Sequence, residues 1–154
     1  MKLENPVTST LSELLGLIKT FACLRHHLLL KNLKHVDSPG YTPHDLPVVA
    51  FAEALHIAIN EYILHRRLVF RDSDGIRFGQ KGSFTIKRKV DLEACVLLSN
   101  DKAAYVKLMQ TRIHENNLSE KATQELLCLL QRATAPTCSD SRISSLSNRS
   151  VSSV

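Results

Sequence analysis

The chain has 154 residues, a formal net charge of +5 and 44% hydrophobic residues, which fits a single domain with a tail. Aromatic residues make up only 5% and Trp is absent, so a helical core rich in leucine and alanine is favoured over a β-sandwich. We expect no membrane span, since no run approaches about 20 apolar residues, and no cleavable signal peptide, since Glu4 and Pro6 interrupt an apolar leader.

The first predicted element is a long amphipathic helix. Ser9 or Thr10 is the predicted N-cap, and the helix runs to about His35. Apolar side chains recur along it at helical spacing, among them Leu14 and Ile18. A helix of roughly 25 residues is typical of coiled coils and helical hairpins. We therefore expect this apolar stripe to pack on a partner helix.

The helix is predicted to end in a proline–glycine turn. Pro39 pushes Ser38 out of helical space, and Gly40 supplies the positive φ that a type II turn requires at its third position. Asp37 is expected to hydrogen-bond the backbone ahead of it. Tyr41 is expected to return its ring toward the helix that the chain has just left.

The middle of the chain is predicted to hold a second, shorter helix and a β-hairpin. The helix has roughly 18 residues, from about Phe51 to near Leu68. Apolar and polar residues then alternate over residues 76–86, which predicts two short strands. Because an isolated two-stranded hairpin is marginal in water, it should rest on another element or stay mobile, and we expect residues 70–89 to be a mobile segment.

A third long helix is predicted to open at Asp91, its N-cap, and to run to about His114. Its apolar face includes Leu97, Tyr105 and Leu108. Glu115–Asn117 suggests a break before a further helical stretch. From residue 134 the chain is rich in serine and has few large apolar residues, so a disordered tail is expected over residues 134–154.

These elements predict a mainly α fold. Long amphipathic N- and C-terminal helices would pack as a coiled-coil-like hairpin, with a short helix and a small β-hairpin between them. The chain would then divide into a flexible N-terminus of residues 1–10, a helical domain of residues 11–133 and the tail of residues 134–154.

Cysteines, histidines and catalytic motifs give little support for an enzyme or a metal site. Cys23, His26 and His27 could share one helix face, but a structural zinc site needs a second pair of ligands. No nucleophile elbow, P-loop or zinc-protease motif is present. We therefore expect no metal, no cofactor and no enzymatic activity. The spacing of Cys23, Cys95, Cys128 and Cys138 leaves three full disulfide pairings or free thiols open.

Two stretches of the sequence are similar to flagellar proteins. Asn32, Leu33 and Asp37–Tyr41 resemble the Asn-(Ile/Leu)-Ala-Asn-(Ala/Val)-Asp-Thr-Pro-Gly-Tyr signature of flagellar rod and hook proteins. The Asp before Ser-Pro-Gly-Tyr resembles most the bacterial flagellar basal-body proximal rod protein (FlgB type). Val90–Glu93, with Tyr105 further on, is similar to the C-terminal helix of that family. The chain is thus identified as a divergent member.

The resemblance implies a structural subunit of the flagellar basal-body rod that becomes an oligomer on assembly. Its partners would be other rod subunits, the membrane-embedded ring base and the flagellar export apparatus, which would deliver it to the periplasmic rod without a cleavable signal peptide. No small-molecule substrate and no nucleic acid is implied. The family-motif turn would comprise Asn32, Asp37, Ser38, Pro39, Gly40 and Tyr41, and the assembly seam Leu14, Ile18, Leu97, Tyr105 and Leu108. For the seam, a plain intramolecular core is an open alternative.

The alternative function is a basic helical binding module for nucleic acid or an acidic protein. It would use Arg66–Arg67 and Lys87–Lys89. These clusters are short, whereas nucleic-acid-binding arms usually carry denser blocks of positive charge. The salt dependence of binding to duplex DNA distinguishes the two functions, since a true DNA-binding protein loses affinity steeply as salt rises.

Overall fold

The computed structural model describes residues 5–80 and 82–135, and the mainly α fold predicted from the sequence is confirmed. The elements in chain order are α1 (Pro6–Lys34), β1 (His44–Asp45), α2 (Val48–His65), β2 (Ile76–Phe78), β3 (Phe84–Ile86), β4 (Lys89–Val90), α3 (Leu92–Asn100) and α4 (Lys102–Thr134). The predicted tail lies, from residue 136 onward, outside the described residues.

Helix α1 begins earlier than the sequence analysis predicted. Asn5 is its N-cap, and the side-chain oxygen of Asn5 accepts a hydrogen bond of 3.1 Å from the backbone N–H of Val7. Pro6 occupies the first turn, where its fixed φ suits the helix and its missing N–H costs nothing. The prediction of Ser9 or Thr10 as the cap is therefore wrong, because both residues lie inside the helix.

The predicted third helix is two helices. Asp91 caps α3 as predicted, accepting a hydrogen bond of 3.0 Å from Ala94 N–H. Asp101 then ends α3 and caps α4 in the same way, accepting from Ala104 N–H at 3.0 Å. Asp101 has a φ of −150° and a ψ of 89°, outside the helical region, as is usual for an N-cap residue, so the chain bends here and a new helix starts.

The predicted break at Glu115–Asn117 is also wrong, because α4 continues through it. Asn116 is buried against α1, and its side-chain amide donates to the carbonyl of Ala22 at 2.8 Å. Because the Asn116 amide is hydrogen-bonded to the neighbouring helix, it does not compete for the backbone hydrogen bonds of α4, and α4 continues through this residue.

Helices α1 and α4 pack side by side in opposite directions. Three hydrogen bonds along their length pair later residues of α1 with earlier residues of α4: Lys19 with Gln124, Ala22 with Asn116, and Asn32 with Tyr105. A cluster of Leu29, Ala94, Tyr105 and Met109, each fully buried, joins α1, α3 and α4. The expected long antiparallel hairpin is present.

The β-hairpin rests on a second hydrophobic cluster. Ile76 pairs with Ile86 across the hairpin and is completely buried among residues that include Phe21 and Phe51. The rings of Phe21 and Phe51 are stacked with centroids 4.1 Å apart. This hairpin therefore packs on other elements, one of the two outcomes expected from the sequence, while the mobility of residues 70–89 stays a prediction.

Helix α2 has the predicted length of 18 residues but lies three residues earlier in the chain, from Val48 to His65. It ends at Arg66, which adopts the left-handed conformation with a φ of 57°. A residue in this conformation terminates a helix by turning the chain away from its axis.

Helix α1 is long and apolar enough to cross a membrane by length and composition alone, which differs from the sequence-based expectation. Core helices and signal sequences meet the same test. In the described structure Leu17, Leu29 and Asn32 of this helix are fully buried against the rest of the chain.

Candidate functional site at the turn after the first helix

The turn after α1 has the geometry that the sequence predicts. Gly40 has a φ of +70°, and the backbone N–H of Tyr41 donates to the carbonyl of Ser38 at 3.3 Å. Asp37 differs from expectation, since its carboxylate accepts a hydrogen bond of 3.1 Å from the ammonium of Lys102 at the start of α4. Ser38, Pro39 and Gly40 are exposed at the end of the helical hairpin.

Asn32 is the polar centre of this region. It is completely buried, and its amide nitrogen donates to the carbonyl of His44 at 2.7 Å. Its side-chain oxygen accepts from the hydroxyl of Tyr41 at 2.8 Å. Asn32 therefore joins the last turn of α1 to both ends of the segment that leads into β1, and Tyr41 does return to the helix as predicted.

Tyr105 connects the same centre to α4. Its side chain is completely buried, and its hydroxyl donates to the backbone carbonyl of Asn32 at 2.9 Å. The ring of Tyr41 stacks on the imidazole of His35, with centroids 4.8 Å apart. Three residues that carry the flagellar resemblance, Asn32, Tyr41 and Tyr105, thus meet in one hydrogen-bonded cluster, here called the Asn32 cluster.

The protonation of Tyr105 offers a test of the Asn32 cluster. Burial raises the pKa of Tyr105 from 10.0 to about 12, with smaller contributions from Tyr41, Asp91 and Cys95. The folded state holds this proton more tightly than the unfolded state, so the stabilisation is complete below about pH 10 and is lost as the pH rises toward 12. The free energy of unfolding should fall by up to about 1.4 kcal/mol per pH unit in this range.

Urea unfolding at about pH 9 and about pH 11 checks this expectation. Tyr105→Phe should be less stable than the wild type at the lower pH, because it lacks the hydrogen bond to Asn32, but it should lose less stability as the pH rises. Parallel losses in the two proteins would show that Tyr105 does not hold its proton through this contact.

The backbone strain at Gly40 gives a second test. No atom lies within 4 Å of the position that a Cβ would occupy, so the cost of substitution is conformational only. We expect Gly40→Val to lower the free energy of unfolding by about 1–3 kcal/mol, because a β-branched residue is strained at positive φ. Gly40→Asn is the matched control and should cost less, since Asn tolerates this region. Equal losses in thermal unfolding would exclude strain as the cause.

A charged cluster that the sequence analysis missed lies beside the Asn32 cluster. Arg25 makes two hydrogen bonds to the carboxylate of Asp45, at 2.9 and 2.8 Å. Arg112 of α4 bonds to Asp91 and to Glu93, the latter at 2.8 Å, and lies 3.8 Å from Asp45. Neither Arg25 nor Arg112 was predicted from the sequence as part of a site.

This charged cluster ties four elements together. Arg25 on α1 bonds β1, and Arg112 on α4 bonds the start of α3. Asp91 also caps α3, so one carboxylate serves both the helix end and the ion pair. The cluster lies at the base of a groove of about 670 Å³ beside the start of α2. Its paired charges connect the elements around the turn.

The five predicted seam residues are all at least partly covered within the single chain. Tyr105 is completely buried and Leu14 is 8% exposed, while Ile18, Leu97 and Leu108 pack at the edges of the two hydrophobic clusters. They thus contribute to the intramolecular core. The large apolar residues that remain exposed on the two long helices are Val7, Leu11, Leu24, Leu30, Leu118, Leu126 and Leu129.

The cysteines, histidines and basic clusters considered from the sequence do not form a single site among the described residues. Sγ of Cys23 lies 3.9 Å from Nδ1 of His27, and the described residues contain no group of three potential metal ligands. Cys23, Cys95 and Cys128 are free thiols, and Cys138 lies outside the described residues. Of the basic clusters, Arg66 lies over the ring of Tyr62 and Lys89 pairs with Asp74.

A scan against protein-family models and searches of curated proteins and of solved structures found no match for this chain.

Proposed function

We propose that the protein is a structural subunit of the bacterial flagellar basal-body rod, which assembles by packing its helices against neighbouring subunits. The observation that carries the proposal is the Asn32 cluster. Asn32, Tyr41 and Tyr105 come from the two stretches that resemble rod proteins, and they form the joint between the turn and both long helices. A joint of this kind would set the angle between the helical hairpin and the segment that follows.

Exposed apolar residues toward the ends of the long helices support an assembly role. Because α1 and α4 run in opposite directions, the start of α1 lies toward the end of α4. Val7 and Leu11 are 45% and 42% exposed there, and Leu126 and Leu129 are 49% and 57% exposed. Covering large apolar side chains that share one end of a molecule with a neighbouring subunit lowers the free energy of the assembly.

The proposed partners follow from the same role. Other rod subunits would cover the exposed ends of α1 and α4, and the membrane-embedded ring would hold the base of the assembly. The flagellar export apparatus would deliver the chain to the periplasmic rod. The proposed role requires no cofactor, since the subunits would assemble by packing their helices together.

A pair of charge-introducing variants tests this proposal. Leu126→Glu combined with Leu129→Glu alters exposed positions on α4 and should leave the circular dichroism spectrum unchanged. In cells, this variant should be missing from isolated basal bodies, because two carboxylates would have to be buried at the interface.

The matched control places the same charges elsewhere. Ile63 and Leu64 on α2 are 61% and 72% exposed, so Ile63→Glu combined with Leu64→Glu has the same chemistry on another element. We expect this control in basal bodies at the wild-type level. Normal incorporation of the α4 variant would contradict packing through the helix ends, and a failure of both variants would contradict the choice of this face.

A further inference from the structure

A groove with an apolar floor lies between α1 and the β-hairpin formed by β2 and β3. It is on the side of α1 that faces away from α4. Its volume is about 310 Å³, at the lower end of the range for pockets that hold ligands. Leu28, Leu46 and Ile86 are among the residues that line it, together with Leu24, which is 45% exposed. The floor is continuous with the hydrophobic core and offers apolar surface to a visiting side chain.

The rim of this groove is basic. Lys31 of α1 and Arg88 of the strand connection line it from two sides, and His27 lies between them along the helix. None of the described lining residues is acidic. Among the described residues, neither Lys31 nor Arg88 forms an ion pair, whereas Arg25 and Arg112 are both paired. Two unpaired cations beside an apolar floor attract a ligand that is both acidic and apolar.

We propose that this groove binds a short acidic segment of a partner protein, one that inserts a large aliphatic or aromatic side chain between carboxylates that face Lys31 and Arg88. The apolar floor favours a peptide over a nucleic acid, since a phosphate backbone would engage the cations and leave Leu24 and Ile86 uncovered. The inference stands on the groove alone and does not rest on the rod role.

A selection from a random 12-residue peptide display library tests the groove without assuming a partner. The full chain is the target, and the affinity of the enriched consensus peptide is then measured by fluorescence anisotropy. We expect enriched peptides to share Asp or Glu next to a large apolar residue. Lys31→Glu combined with Arg88→Glu should weaken their binding at least tenfold, and Leu24→Asp should weaken it as well.

The control carries the same charge change on another surface. Lys121 and Arg132 are exposed on α4, and neither forms an ion pair among the described residues, so Lys121→Glu combined with Arg132→Glu should leave peptide binding unchanged. Circular dichroism confirms that every variant is folded. Enrichment of peptides without carboxylates, no enrichment at all, or equal binding by the groove variant would overturn the proposal.

Two other occupants are distinguished by the same proteins. If a 20-base-pair DNA duplex binds the wild type and loses affinity in the groove variant while no acidic peptide is enriched, the groove is a nucleic-acid surface. If the wild type self-associates in sedimentation and the groove variant does not, the occupant is a second copy of the chain. Either result would overturn the assignment to an acidic peptide.

Discussion

Asn32→Leu will lower the free energy of unfolding by about 2–4 kcal/mol, because it removes the hydrogen bonds that the Asn32 side chain makes to two buried or half-buried groups. The carbonyl of His44 loses its donor and the hydroxyl of Tyr41 loses its acceptor. Leucine has a similar size, so little of the loss would come from a cavity. Urea unfolding of the purified variant measures the effect.

Asn32→Asp tests separately the hydrogen bond that the Asn32 side chain donates and the one that it accepts. The ionised carboxylate can accept from Tyr41 but cannot donate to the carbonyl of His44, so the variant should be unstable at neutral pH. Lowering the pH protonates the buried carboxyl group and restores a donor, so the stability deficit relative to the wild type should shrink. Two results would contradict the central role of Asn32: a stability deficit of Asn32→Asp that does not change with pH, or an Asn32→Leu variant that is as stable as the wild type.

Arg112→Met should also be strongly destabilising, by about 2–4 kcal/mol, because it leaves carboxylates without a partner. The side chains of Arg112 and Asp91 are only 17% and 8% exposed, so water solvates the stranded charge poorly. Glu93 is 64% exposed and should contribute little to the loss.

A second substitution on the same background identifies the stranded charge. Asp91→Asn removes the negative charge and still caps α3, since Asn is as good an N-cap as Asp. The Arg112→Met, Asp91→Asn double variant should therefore recover more than half of the lost stability. If the double variant is less stable than Arg112→Met, then Asp91 acts through another contact, and the ion-pair account is wrong.

Local features of the fold were predictable from neighbouring residues. Pro39 and Gly40 have restricted or unusual backbone preferences, so the turn could be placed before any tertiary contact was known. Asp91 was predicted as a cap because its side-chain oxygen can accept a hydrogen bond from an amide in the first turn of a helix. The alternation around Gly82 likewise located both strands of the hairpin.

Features that depend on tertiary partners were not predictable. Asn116 resembles a helix breaker in sequence, yet it is satisfied by the carbonyl of Ala22 on the opposite helix. The pairing of Arg112 with Asp91 likewise requires the α3–α4 corner at Asp101, which the sequence analysis placed inside one helix. Arg25 in an otherwise apolar stripe was the one available signal, since a charged residue in a core needs a partner.

The residues of the Asn32 cluster were named from the sequence, but the contacts between them were not predicted. Asn32, Tyr41 and Tyr105 were named from the resemblance, whereas the contacts between them depend on the antiparallel packing of α1 and α4. For the seam residues an assembly role and an intramolecular core both stayed open, because periodicity shows which face is apolar but not which molecule covers it. In the structure the chain itself covers much of that face.

The most direct test of the proposed function is the content of purified basal bodies. Mass spectrometry with isotope-labelled standards would measure the amount of this protein relative to a protein of the membrane-embedded ring. The rod-subunit proposal predicts that the chain is enriched in basal bodies over whole cells and is present at a fixed ratio to the ring. A chain that is abundant in cells but absent from purified basal bodies would contradict it.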